Sequence, residues 1–562
     1  MKKPPGKISA VKTSSPKPAP AAAKRPFWLS LLIPGVIAII TIIIYRDSLS
    51  NQLLWWDDNK YVFENKTIRS LSMENIKTMF DTFTVGGYTP LVSLSLAVDY
   101  KLYGLRQVSP NTYSGKGYHL TSLLIHLLSV IVLYFFFIKL SRSPFVSAVV
   151  ATLFAIHPMN VESVAWVTER KDQLYVLFYL LAMSTYLNYI DKGFKIKHLV
   201  LTGFFFLLSL FSKGMAVTLP AALFLLDYYR QRKWNAKMIL EKIPFILLSI
   251  IFGVAAMAAI SHRTETVVTA PADRLLFACY GVVNYFTKLF VPYQMSVFYP
   301  FPLKTTEEYP LIFYLSPLII VSLLFLVWRF RKNRVVVFGA AFFLSNIALI
   351  LQLKPFGGSF LGDRFTYLAG IGIFFTGAML LDAYIRERAS KKKFLFISIL
   401  LGYFLFLGIT ANARNKDWFS TLTLWEDTAQ KFPASNDVTE TCSRIFTMHG
   451  NFQGALPYIN QSIALSKKFE WGRLYSFRAY IHFMLGQKEE ELKDLNLALE
   501  NEQDNCSRAK IFSQRGRIYL KTGKKKEALR DFEQSFYAAA GCQNFDFNRL
   551  QNETQAAQQL PD

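Results

Sequence analysis

Two adjacent carboxylates stand in the run Trp55-Trp56-Asp57-Asp58-Asn59, shortly after an apolar stretch that ends at Tyr45. A carboxylate held beside aromatic rings at a lipid boundary suits general-base removal of a proton from a hydroxyl. The bland alternative is an ordinary acidic loop whose tryptophans sit at the interface, and on the pair alone it is the better reading, because surface acids are common. Further polar stretches between apolar runs converge on the same face. Tyr88-Thr89-Pro90-Leu91 is one. His157-Pro158-Met159-Asn160-Val161-Glu162 runs on through Trp166 to Glu169-Arg170-Lys171-Asp172. Ser212-Lys213-Gly214 forms a hairpin tip, and Gly362-Asp363-Arg364-Phe365-Thr366-Tyr367 opens another apolar stretch. Ionisable residues at membrane depth are costly and point to function. Lys213, Arg364 and Arg170 have the chemistry to hold a phosphate, the arginines through two parallel hydrogen bonds. His126, inside an apolar run, reads as a packed, hydrogen-bonded histidine, and His157-Pro158 can simply end a helix.

The elements that carry these residues are membrane helices. Of 562 residues, 52% are hydrophobic and 15% aromatic, and the apolar residues gather in runs such as 31–45, 123–138, 243–260, 311–327, 335–351 and 394–409, the length that spans a bilayer. A net charge of +24 would suggest nucleic acid in a soluble protein. Here the basic residues form short clusters between apolar runs, the pattern of the positive-inside bias, so the expected surroundings are membrane lipids and not nucleic acid. The first 25 residues hold seven Lys/Arg and no acid. They read as a disordered cytoplasmic tail before an uncleaved first helix, since no small-residue cleavage site follows.

Threading the chain with that tail inside gives about eleven spans. Segment 275–291 decides the count: as a span it would turn the cluster Arg329, Arg331, Lys332, Arg334 and that of Arg386 to Lys393 outward. Carrying Asn284 and Lys288 and ending at Pro292, it reads as an interfacial helix on the outer side. The expected organisation is a tail at 1–26, a membrane body at 27–411, helical repeats at 412–550 outside, and a frayed end at 551–562.

The repeats show in three turn glycines, Gly450, Gly486 and Gly523, spaced 36 and 37 residues apart, near the tetratricopeptide period. Gly516, Tyr519, Gly523, Ala528 and Phe532 fit one helix-turn-helix unit. Such a stack either supports the membrane body or offers a groove to a peptide or protein, and both readings stand. Four cysteines show neither a disulfide framework nor metal-ligand spacing. If the last repeat has helices at about 507–521 and 525–540, an antiparallel turn sets Cys506 beside Cys542. They are then either a disulfide, which persists only outside the cytosol, or two free thiols.

These blocks, in this order, resemble the transmembrane and tetratricopeptide repeat-containing O-mannosyltransferases of the C-type glycosyltransferase (GT-C) superfamily. The resemblance runs from Trp55 to about Phe532. It implies an all-α polytopic membrane domain that moves a sugar, mannose or another hexose, with inversion, from a polyprenyl-phosphate carrier to a hydroxyl of a protein or glycan acceptor. It places that reaction outside the cytoplasmic membrane of a bacterium. By the same analogy Asp57 or Asp58 is the base, Glu162 a second acid, and Arg364 and Lys213, with Arg170, the carrier-phosphate ligands. No cofactor is implied and no metal requirement is visible. The repeat array is shorter than in the family's eukaryotic members, so the acceptor and the use of the groove stay open. The rival readings are a non-catalytic repeat scaffold and a secondary transporter. The transporter would show internal pseudo-symmetry and midplane acids, whereas these acids gather at one face.

Overall fold

The computed structural model describes residues 27–261, 270–302, 308–351, 353, 358–387, 389–543 and 545–561; the basic tail lies outside the described residues. Among the described residues the chain is all-α, apart from a three-stranded sheet in the first long loop, formed by Gln52–Leu53, Gln107–Ser109 and Thr112–Ser114 with the last strand in the centre.

Among the described residues six helices are long and apolar enough to cross a membrane: Leu31–Ser50, Lys116–Ser141, Ala236–Ala259, Leu311–Arg329, Asp363–Arg386 and Lys392–Asp417. A seventh joins them if Pro144–Ile156 and Pro158–Ala165, bent by 53°, count as one span. Ile196–Ser212, Gly214–Tyr229 and Arg334–Ile350 are shorter apolar helices. Arg170–Asp191 has 22 residues and is buried along most of its length. The segment expected at the outer interface is the helix Pro271–Lys288.

The helices start where the chemistry favours it. Ser143 accepts a hydrogen bond from the Val146 amide, with Pro144 in the first turn, which satisfies an otherwise orphaned donor. Close approach explains one glycine: a Cβ on Gly339 would lie 2.5 Å from the Gly372 carbonyl. Arg334–Ile347 and Thr366–Arg386 therefore pack backbone to backbone, as membrane helices do at small residues.

Beyond Asp417 the helices Asn436–Met448 and Phe452–Leu465, Trp471–Met484 and Lys488–Asn501, and Asn505–Lys521 and Lys525–Ala538 form three antiparallel pairs. The turn glycines Gly450, Gly486 and Gly523 all take left-handed φ (76°, 75° and 72°), which a side chain would disfavour. Two repeats share a ladder that the spacing of the turn glycines does not reveal. Arg478 forks onto Asp494 (2.8 and 2.6 Å) and reaches Asn460 (2.8 Å). Arg515 does the same with Asp531 (2.7 and 2.7 Å) and Asn496 (2.6 Å). Cys506 and Cys542 form a disulfide with Cα atoms 5.6 Å apart. The end expected to fray is instead mostly helical, Phe547–Gln558. Leu550 and Ala557 are buried with Phe532, and Arg549 pairs with Glu553 at 2.9 Å. Apolar residues at helical spacing, too few to stand out among the polar ones, hold it down.

Candidate active site

The two aspartates of the first loop have different tasks. Asp58 is buried. Its Oδ2 accepts from the Leu54 amide (2.9 Å), and its Oδ1 accepts from the Thr168 amide (2.8 Å) and hydroxyl (2.6 Å). It thereby ties the first loop to the turn after Trp166. Burial outweighs these hydrogen bonds and pushes its carboxyl up to about 7, with the neighbouring Asp57 charge adding to the rise. Asp57 is partly exposed, and its backbone has φ 67°. Left-handed backbone is uncommon outside glycine, though aspartate tolerates it better than most. Its carbonyl accepts from the Lys60 and Tyr61 amides (3.0 Å each), so the strained turn is held from behind. Its carboxylate acts electrostatically on Tyr61 and Lys171.

Next to this loop, three carboxylates and three cations interlock. Arg364 pairs with Glu162 through Nη1, donates its backbone amide to the same carboxylate (3.1 Å), and brings Nε within 3.3 Å of Glu169. Lys213 pairs with Asp172 and lies 3.6 Å from Glu169. Lys171 meets Glu169 at 3.0 Å. Glu169 is the hub. Burial alone would raise its carboxyl, but Lys171, Lys213 and Arg364 outweigh it and hold it below the ordinary range. The side chains of Glu162, Glu169 and Asp172 are at most 2% exposed, whereas those of Lys213, Lys171 and Arg364 are 13, 17 and 18% exposed. The open face of the cluster is therefore cationic, backed by buried acids. Aromatic rings frame it: Arg364 lies over Trp166 (5.5 Å) and Phe365 (4.8 Å), and Lys171 over Trp166 and Tyr61 (5.7 and 5.6 Å).

Of the six residues expected from the sequence, the structure brings five into this neighbourhood. Arg170 points elsewhere. Fully buried, its guanidinium pairs with Asp99 and donates to the Tyr118 carbonyl (2.6 Å), Ser95 (3.2 Å) and Ser122 (3.3 Å). Arg170 opens its helix and turns to the back wall, while Glu169, the last residue of the short turn before it, faces the cluster with Lys171 and Asp172. Nothing in the sequence singles out Glu169 and Lys171; their one signal is the density of charge from 169 to 172. His126 is packed as expected, between the Tyr367 hydroxyl (2.7 Å) and the Ala155 carbonyl (3.2 Å). Among the described residues no three metal-ligating side chains converge in a way that would hold an ion, and each acid of the cluster is taken by a cation.

A wall of the site comes from the repeat side. Trp418 stacks on Trp166 (5.8 Å) and Trp425 meets Trp56 edge-on (5.0 Å). Behind Arg364, Asp363 accepts from Tyr299 (2.6 Å), the Ser296 amide (3.2 Å) and Lys288 (3.4 Å). Ser296 in turn donates to Thr428 (3.2 Å), and Lys431 donates to the Met295 carbonyl (2.6 Å). Thr428 and Lys431 belong to Thr421–Lys431, the first helix beyond the membrane body.

No protein-family model matches the chain. It is 26% identical over 188 residues to the human protein O-mannosyl-transferase TMTC4, covering 30% of this chain and 24% of that protein. With the Caenorhabditis elegans protein O-mannosyl-transferase F38B6.6 it shares 22% over 415 residues, 68% of this chain and 54% of that one. The chain thus spans between a quarter and about half of the length of these two relatives. The crystal structure of ArnT from Cupriavidus metallidurans bound to undecaprenyl phosphate aligns over 84% of this chain and 80% of its own at 12% identity, with a TM-score of 0.38, too low to bear on the argument. By sequence, the chain is similar to protein O-mannosyl-transferases over part of their length, and it has an all-α membrane body followed by tetratricopeptide-like repeats.

Proposed function

We propose that the protein is an integral membrane glycosyltransferase that moves a sugar, mannose or another hexose, from a polyprenyl-phosphate carrier to an acceptor hydroxyl, such as that of a protein Ser or Thr. The observation that carries this reading is the cationic face of Lys171, Lys213 and Arg364, set over buried acids beside the unspent carboxylate of Asp57. Similarity to O-mannosyl-transferases supports the reaction class. The outer face of a bacterial cytoplasmic membrane, with the repeats outside, fits the charge pattern of the loops.

In this reading Asp57 removes the proton of the acceptor hydroxyl as its oxygen attacks the anomeric carbon. The bond from that carbon to the carrier phosphate breaks, and the electron pair leaves on phosphate oxygen. Arg364 and Lys213 stabilise the growing negative charge, with Lys171 beside them. Glu162, Glu169 and Asp172 hold the cations in place before the donor arrives, so little reorganisation remains for the reaction step. Asp58 is a positioning residue: it fixes the turn that presents Asp57. Arg170 holds the back wall. Metal dependence is a separate question, which chelation in the same assay answers.

The test is transfer from a labelled polyprenyl-phosphate hexose in membranes. Asp57→Asn lowers turnover by about 10²–10⁴-fold, while the variant still binds donor. Wild-type turnover in Asp57→Asn, or loss of donor binding alone, removes Asp57 from the base role.

A further inference from the structure

The far end of the bundle carries a second cluster, which the proposed chemistry does not use. The helix Arg170–Asp191 starts at the candidate site and has 22 residues. At 1.5 Å per residue it is about 33 Å long, close to the roughly 30 Å of a hydrocarbon core. Such a length would set its far end at the opposite membrane face. There the connection between Tyr229 and Ile243, which includes the short helix Ala236–Leu240, is clamped onto that long helix. Buried Lys242 pairs with buried Asp227, and Tyr186 donates to both Asp227 oxygens (3.0 and 2.8 Å). Arg232 reaches Glu241 (2.7 Å) and lies over the Phe194 ring (4.5 Å).

Beside that clamp lies a cleft of about 340 Å³ lined by Phe194, Arg232, Lys233, Asn235 and Lys237. The charge balance around it is one-sided. Asp191 is paired with Arg230 (3.0 Å), Asp227 with Lys242, and Glu241 with Arg232. Lys233 and Lys237 are exposed, and among the described residues neither has an acidic partner. Lys192, Lys195 and Lys197 crowd the adjacent loop, close enough to act on His198. Close to these lining residues in the chain, Trp234, Ile239, Leu240 and Ile196 are 65, 48, 61 and 68% exposed, with Trp234 stacked on Phe224 (6.1 Å). Exposed tryptophan and aliphatic side chains beside surplus lysines are what the headgroup layer accommodates. Basic pockets between helices on this side suit lipid phosphates.

We propose that this cleft binds the phosphate of an anionic phospholipid, with Lys233 and Lys237 as its cations and Trp234 beside its acyl chains. The site is independent of the transfer reaction at the other face. Its occupancy would anchor the Tyr229–Ile243 connection in the membrane.

Trp234 supplies the readout. The full-length protein is placed in phosphatidylcholine nanodiscs doped with dibrominated phosphatidylglycerol or dibrominated phosphatidylcholine, and fluorescence quenching is compared. Trp234→Phe defines the contribution of that ring. Selective quenching by the anionic lipid is expected. It should weaken by about fivefold in apparent affinity for each lysine replaced, so on the order of 25-fold in Lys233→Gln/Lys237→Gln, and return in Lys233→Arg/Lys237→Arg. An unchanged melting temperature in the glutamine variant separates lost binding from lost folding. Equal quenching by the two lipids, or full retention in the glutamine variant, overturns the proposal. Displacement by inorganic phosphate also overturns it and makes the cleft a small-anion site.

Discussion

The two ends of the helix Arg170–Asp191 hold the same kinds of side chain and use them in opposite ways. At one end Lys242, Asp227 and Tyr186 satisfy each other, with lysine and aspartate both buried. At the other end three buried acids hold three cations whose tips stay partly open, and the hub Glu169 has ion pairs but no well-directed hydrogen bond to either oxygen. The first arrangement is complete as it stands and behaves as a lock. The second has capacity left over, and an anion is the ligand that would use it. Charge density alone therefore does not mark a site; incomplete satisfaction next to an opening does.

The contrast can be broken from either end. The largest expected effect is at the lock: Asp227→Ala leaves the Lys242 charge buried without its partner and costs about 3–5 kcal/mol of stability. Thermal unfolding in detergent reads it, and Asp227→Ala combined with Lys242→Met should recover most of the loss. Transfer by the surviving folded fraction stays at the wild-type level. A matching fall in specific turnover would mean that the two ends are not separate. Next comes Arg364→Lys, which keeps the charge but loses the planar fork between Glu162 and Glu169. Turnover should fall by about 10²–10³-fold with a small change in melting temperature; the reverse pattern would make the open cluster a second lock.

A pH series sharpens the assignment of the two aspartates. With its folded carboxyl raised to about 7 by burial, Asp58 binds its proton more tightly in the folded than in the unfolded chain. Its contribution to stability is present at acid pH and is lost as pH rises from about 4 through 7. The melting-temperature advantage of wild type over Asp58→Asn should therefore shrink across that window. An advantage that grows with pH would mean that Asp58 is held charged. The smallest effect belongs to the relay behind Arg364. Ser296→Ala removes one hydrogen bond to Thr428 and costs roughly 1 kcal/mol, read as a lower melting temperature. If the relay holds Arg364 in register, the KM for donor rises while kcat is nearly kept.

Much of this was legible from the residues in order. Spanning apolar runs, repeat glycines and the loop acids all follow local rules of length, φ preference and spacing. What escaped depends on direction in space. Arg170 and Glu169 are neighbours in the chain, yet one faces the back wall and the other the cluster, a distinction set by where a short turn hands over to a helix. The difference between Asp57 and Asp58 is likewise one of burial, which two adjacent identical letters do not show. The helical C-terminal end escaped because two buried residues suffice to dock it.

The helix Thr421–Lys431 has a consequence for how such a protein can be cut and lengthened. Trp425, Thr428 and Lys431 reach back to the first loop and to the segment behind Arg364, and the Met448 carbonyl accepts from Asn111 at 3.0 Å. A truncation at the end of the last membrane helix would therefore remove part of the wall around the site along with the repeats. The repeats beyond Leu465 make none of these contacts with the wall of the site, so shortening the array there is expected to leave the chemistry at its base where it is.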